Sequence, residues 1–209
     1  MTASAGDPAV PGVPPPDAPP GQAPAAPAGE GALASSDEGG LAALVAARKE
    51  ALARLRRDGI DPYPARAARS HTASEAAAAF VAQEAAGAAD GPDGVELVGR
   101  LVGAIRLMGG SAFVHLQDGS GMLQLHLRRN ELGDAAFARF KADYDSGDFV
   151  AARGRMFRTR SGEISLAVAA LTMLAKSMLP LPEKWRGLRD VETRFRERHL
   201  DLVSNADTR

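Results

Sequence analysis

The sequence predicts a mainly β protein, a five-stranded Greek-key barrel preceded by helices and a Pro/Ala-rich tail. Three observations predict it. Between residues 95 and 176 apolar and polar residues alternate with the period of two that a half-buried strand requires. Turn signals cut this stretch into five runs of strand length. One helical insert separates the third run from the fourth, so the order is three strands, a helix and two strands.

Taken in chain order, residues 1–38 are mostly Ala, Pro and Gly, with Pro14-Pro15-Pro16 and Pro19-Pro20 and no aromatic residue. Such a segment has too little to bury to offset its ordering entropy. It reads as a disordered tail or as a polyproline-II ligand for a partner. Residues 39–94 form a helical segment. Leu41, Leu44, Val45, Leu52 and Leu55 recur at helical spacing, with Ser36 or Asp37 placed to cap the start. Gly59 is placed to end this helix, and Pro62 and Pro64 forbid its continuation. Arg48, Lys49, Arg54, Arg56 and Arg57 crowd onto it, either as a solvated face or as a phosphate-contacting one. A second, alanine-rich helix runs from near Thr72 to Ala86, anchored by Phe80 and Val81, and a loop from Gly87 to Gly94 follows.

The first strand, Val95 to Leu107, is long, and Gly99 and Gly103 let it bend. Ser111 to Gln117 is the second, turned by Asp118-Gly119-Ser120-Gly121 into a third, Met122 to Arg128. Asn130 to Tyr144 is the helical insert, with Phe137 and Phe140 as apolar anchors. Phe149 to Arg158 and Glu163 to Met173 close a hairpin around Arg160-Ser161-Gly162. Gly109-Gly110 is a tight turn and not a phosphate loop, because no helix opens after it. Three strands, a helix and two strands is the order of the OB-fold, the oligonucleotide-binding barrel. Residues 177–209 lie beyond it as a linker and lead-in segment.

Composition narrows the function. A formal net charge of -1 excludes a polybasic molecule, so charge has to be argued by segment. Residues 95–176 hold eleven Lys and Arg against eight Asp and Glu, with Arg153, Arg155, Arg158 and Arg160 grouped near the fourth strand. That surplus suits a short single strand. Absence of cysteine rules out disulfides and thiolate zinc sites, and the four histidines are scattered without ligand spacing, so no metal is expected. The longest apolar run, Leu166 to Ala175, is half of the roughly 20 residues that span a bilayer. The N-terminus has neither the basic start nor the apolar core of a secretory signal, so a cytoplasmic protein with no membrane partner is expected.

Alternation also selects a functional face. In strands two and three, Val114, Leu116, Leu123, Leu125 and Leu127 share one side, which fills the barrel. Phe113, His115, Gln117, Gln124 and His126 share the other, where OB-folds bind oligonucleotides. An outward Phe113 offers a base a flat ring to stack on. Gln124 has the donor and acceptor to pair with the O4 and N3–H of a uracil, and Glu163 accepts an N3–H. Arg106 reaches a base carbonyl or a phosphate. Each has a plainer alternative: Phe113 packed beneath the N-terminal helices, Gln124 as a solvated strand residue, and Glu163 paired with Arg160.

Five stretches carry a family resemblance: GIDPYP (59–64), VGRLVGAIRLMGG (98–110), FVHLQDGSGMLQL (113–125), GRMFRTRSGEIS (154–165) and LPLPEKWRGLRDVETRFRERHLDLVSN (179–205). From about Leu41 to Arg209 the chain resembles the N-terminal part of class II lysyl-tRNA synthetases. Aspartyl and asparaginyl synthetases share the fold and a similar lead-in, but the Leu116-Gln117-Asp118 of strand two, the Thr159-to-Glu163 hairpin and the Pro-rich linker look more like the lysyl enzyme. The resemblance implies that this domain grips the anticodon stem-loop of tRNA-Lys, whose central base is a uridine. By position, Phe113 matches the stacking aromatic, Gln124 and Glu163 match polar residues that read the base, and Arg106 matches a basic neighbour. The family's usual Gly-Lys-Ala-Ser-Phe reads Gly109-Gly110-Ser111-Ala112-Phe113 here, which removes a lysine near the site. The chain reaches Arg209 where the resemblance puts the start of the catalytic domain, so no catalytic residue is expected in it. The same resemblance assigns ATP and magnesium to that catalytic domain, and a homodimer to the full-length enzyme. Two other readings stay open: a freestanding single-strand-binding module, and a regulatory partner of a full-length synthetase.

Overall fold

A computed structural model describes residues 34–88, 91–180, 190–205 and 208. The chain divides into Met1–Ala34 and Ser35–Arg209. The tail up to residue 33, and Trp185 with the linker around it, lie outside the described residues. In order, the elements are α1 (Ala34–Arg57), α2 (Ala73–Ala85), β1 (Val95–Met108), β2 (Ser111–Gln117), β3 (Met122–Arg128), α3 (Arg129–Leu132), α4 (Asp134–Asp143), β4 (Phe149–Arg158), β5 (Ile164–Ala175), α5 (Val191–Arg196) and α6 (Arg198–Ser204).

The five strands close into a barrel in the order β1-β2-β3-β5-β4, with β4 pairing back onto β1. All pairs are antiparallel except β3 with β5, which run parallel. Parallel neighbours need a crossover, and α3, α4 and β4 lie between these two strands in sequence. The inward residues named by alternation are buried: Val114, Leu116, Leu123, Leu125 and Leu127 join Leu97, Leu101, Met156, Leu166 and Val168 in one core. Phe137 and Phe140 of α4 enter that core, as do Leu55 of α1 and Phe80 of α2.

Two glycines shape the barrel. Gly103 has a φ of 72°, beside the register shift between Val102 and Arg106 that bends β1. Gly154 sits at a shift in the β4–β5 ladder, where a Cβ would lie 1.9 Å from the Ala167 carbonyl oxygen.

α2 falls where the sequence puts it, whereas α1 and the helical insert depart from expectation. Thr72 caps α2 through a capping box with Glu75, and Asp118 in the β2–β3 turn accepts the Ala73 N–H at 2.8 Å, tying that helix to the barrel. α1 runs Ala34–Arg57, so Ser36 and Asp37 lie inside its first turn and not ahead of it. The helical insert is broken at Gly133, whose φ of 88° separates α3 from α4.

The basic side chains of α1 divide in a way neither sequence reading foresaw. Arg48 is buried and donates to the carbonyls of Ser146, Ser177 and Leu179. Arg54 bonds Asp143 at 2.7 Å. These two dock the helix onto the barrel, leaving Lys49, Arg56 and Arg57 exposed. Beneath Arg48, Lys176 is fully buried between Asp145 and Asp148. Burial pushes the Asp148 carboxyl up while Lys176 opposes the shift. Among the described residues no helix is long and apolar enough to cross a membrane.

Candidate nucleic-acid interface

Barrel register sets the outer face in rows. One row runs Arg106, Phe113, His126, Ala167 and Arg155 across β1, β2, β3, β5 and β4. The next runs Val102, His115, Gln124, Ser165 and Phe157 across the same strands. All four residues expected from sequence belong to this region: Arg106, Phe113 and Gln124 in the rows, and Glu163 in the turn that leads into β5.

Phe113 is half-buried, and its ring stacks on His126 at 4.2 Å between centroids and 10° between planes. Phe157 lies on the far side of His126, 5.7 Å away and tilted. Cross-strand neighbours on one face approach to about 5 Å, so with His126 to one side, the residue flanking Phe113 on the other is the exposed Arg106. His126 itself is 7% exposed, and its Nδ1 has no hydrogen-bond partner. Burial, and then the charge of Arg128, hold its imidazole below the usual histidine range, so the stack is of two neutral rings at pH 7.

Gln124 is buried, 8% exposed, and not the solvated strand residue of the plainer reading. Its Nε2 donates to Glu163 Oε2 at 2.6 Å, and its Oε1 accepts from Ser165 Oγ at 2.9 Å. The other Glu163 oxygen meets His115 Nε2 at 3.1 Å. Glu163 thus pairs with His115 and Gln124 and not with Arg160. Its backbone is pinned as well: Thr159 Oγ1 accepts the Glu163 N–H at 3.0 Å, and the Thr159 N–H donates to the Glu163 carbonyl at 2.9 Å. Three strands and a turn therefore converge on one amide–carboxylate pair, one row from the half-buried Phe113.

Sequence reasoning placed His115 and His126 on the outer face without giving them roles, and it did not single out Phe157 and Ser165. Alternation in β4, where Met156 is buried and Arg155 is exposed, was the available signal for Phe157. Beside the rows, Phe80, Arg128, Arg155, Phe157 and Arg158 line a groove of about 270 Å³, narrowed by Arg158 bonding Glu84 of α2. Beyond the barrel, Arg194 and Arg198 both bond the buried Asp201, and Arg196 bonds Glu192. These arginines find partners within the chain. Among the described residues no cluster of three or more His, Cys, Asp or Glu is arranged to hold a metal.

Residues 95–174 match the family model of the OB-fold nucleic acid binding domain named for the tRNA anticodon. Over 169 residues the chain is 49% identical to a lysine–tRNA ligase of Chloroflexus aurantiacus, covering 79% of this chain and 33% of that protein. It is 48% identical over 162 residues to the lysine–tRNA ligase of Roseiflexus castenholzii, covering 78% and 32%, and 45% identical over 168 residues to one of Dehalococcoides mccartyi, covering 79% and 33%. The chain spans about a third of the length of these relatives. Residues 95–174 are thus an OB-fold nucleic acid binding domain of the tRNA anticodon family, set in a chain that matches the N-terminal third of lysine–tRNA ligases.

Proposed function

We propose that this face reads the central uridine of the tRNA-Lys anticodon, as the anticodon-binding portion of a lysine–tRNA ligase acting in the cytoplasm. The observation that carries the reading is the polarity of the Gln124–Glu163 pair beside Phe113. One Gln124 N–H is committed to Glu163 and the amide oxygen to Ser165, which leaves the second N–H to donate outward. Glu163 offers only acceptors. A uracil edge presents the complement, an acceptor at O4 beside a donor at N3. A cytosine edge presents the reverse, so donor meets donor and the carboxylate meets a lone pair. Groups left unpaired in a half-buried site cost about 1–3 kcal/mol each. Phe113 supplies affinity by stacking the ring, and Arg106 supplies charge at its side.

In such an enzyme ATP and magnesium serve the amino-acid-activating portion, and dimerisation belongs to the whole protein. The test is a fixed-salt titration of the 209-residue chain with two anticodon stem-loops that differ only in a central uridine or cytidine. Tighter binding of the uridine loop is expected, and a uridine methylated at N3 should bind like cytidine because the donor facing Glu163 is gone. Equal binding of all three loops would replace this reading with that of a general single-strand module.

A further inference from the structure

A glutamine side chain has two nearly isosteric orientations, related by a half-turn that exchanges oxygen and nitrogen. Which orientation Gln124 holds decides whether a donor or an acceptor faces the base, and Gln124 alone does not decide it. Glu163, an acceptor only, claims the nitrogen at 2.6 Å. The amide oxygen still needs a buried donor, or it swings toward the open side of the face. Ser165 is the residue that meets it. Its hydroxyl lies 2.9 Å from Gln124 Oε1, it is fully buried, and it sits directly across from Gln124 in the parallel β3–β5 register. Its other acceptor within reach, the Glu163 carbonyl, is at 3.4 Å and competes weakly.

We propose that Ser165 is a positioning residue for base selection: by donating to the inner oxygen of Gln124 it keeps that oxygen away from the base and leaves only a donor facing outward. The inference rests on the uridine reading above. Without the Ser165 hydroxyl, the amide oxygen is left buried and unpaired, and it gains by pivoting outward while Nε2 keeps Glu163 through its other hydrogen. An outward oxygen accepts the exocyclic amine of cytosine. Loss of Ser165 therefore raises binding of the wrong base, whereas a merely structural loss lowers binding of both.

The test titrates the same uridine and cytidine stem-loops into wild type, Ser165→Ala, Gln124→Ala and the double variant. Ser165→Ala should narrow the uridine preference about tenfold, one hydrogen bond's worth, chiefly by tightening cytidine binding. In the Gln124→Ala background the second substitution should change nothing. An unchanged preference in Ser165→Ala, equal weakening toward both loops, or the same loss without Gln124 would overturn the proposal. The free protein gives a readout that needs no RNA. The outward Gln124 side-chain N–H, its resonance identified by its loss in Gln124→Ala, should exchange with solvent more slowly in Ser165→Ala, because the amide oxygen has taken its place. Unchanged exchange overturns the role of Ser165 even if wild type shows no uridine preference, an outcome that removes the anticodon reading by itself.

Discussion

Phe113 is held against His126 before any ligand arrives, so a base that stacks on it meets a ring already in place. Phe113→Ala should weaken binding to every stem-loop by about 1–3 kcal/mol, whatever the central base. Gln124→Ala should instead shrink the difference between uridine and cytidine loops, and the same titration distinguishes the two patterns. His126 predicts a pH effect on stability. Its folded pKa lies below the ordinary value of about 6.5 because of burial. The unfolded chain therefore takes up a proton that the folded chain refuses, and stability falls as pH drops below about 6.5 until it passes the folded value. Melting temperature followed from about pH 7.5 to 5.5 should show this decline, and His126→Phe, which keeps an aromatic ring in the stack, should flatten it.

At the level of elements, alternation and turn chemistry made β2 and β3 legible to the residue, because Asp118-Gly119-Ser120-Gly121 leaves one register for the hairpin. The same reasoning picked out Phe113 and Gln124, since period two assigns faces without knowledge of neighbours. It could not see that Ser165 and Gln124 touch. That contact exists only because β5 lies parallel to β3, a pairing between strands about 40 residues apart that no local pattern encodes. The two arginines of α1 that dock the helix were unreadable for the same reason: a charge cluster looks alike whether it faces water or carbonyls of a distant loop. Gly154 belongs to this scale as well. A methyl group there would collide with the Ala167 backbone, so β4 and β5 would have to part. Gly154→Ala should lower unfolding free energy by about 1–3 kcal/mol or more in a denaturant titration.

For the whole molecule, charge limits how RNA is held. The chain carries a formal net charge of -1, and the barrel's modest basic surplus is partly consumed by pairs such as Arg158 with Glu84. About three phosphate contacts are the most such a surface supports, so log affinity should fall against log salt with a slope no steeper than about -2. Titration at several salt concentrations reads that slope, and a much steeper one would place the RNA on more of the surface than this face. The closed barrel has one more consequence, for the order in which competence is acquired during folding. The β1–β2–β3 meander and the β4–β5 hairpin can each form across short turns, but the β3–β5 and β1–β4 seams must wait for a long loop to close. Phe113 lies within the meander, whereas Gln124 and Glu163 come from opposite sides of a seam. A nascent chain with only its meander formed would own a platform for any base and no means of choosing among them. On the proposed reading, discrimination arrives last, with ring closure, so selectivity would report that the barrel has shut.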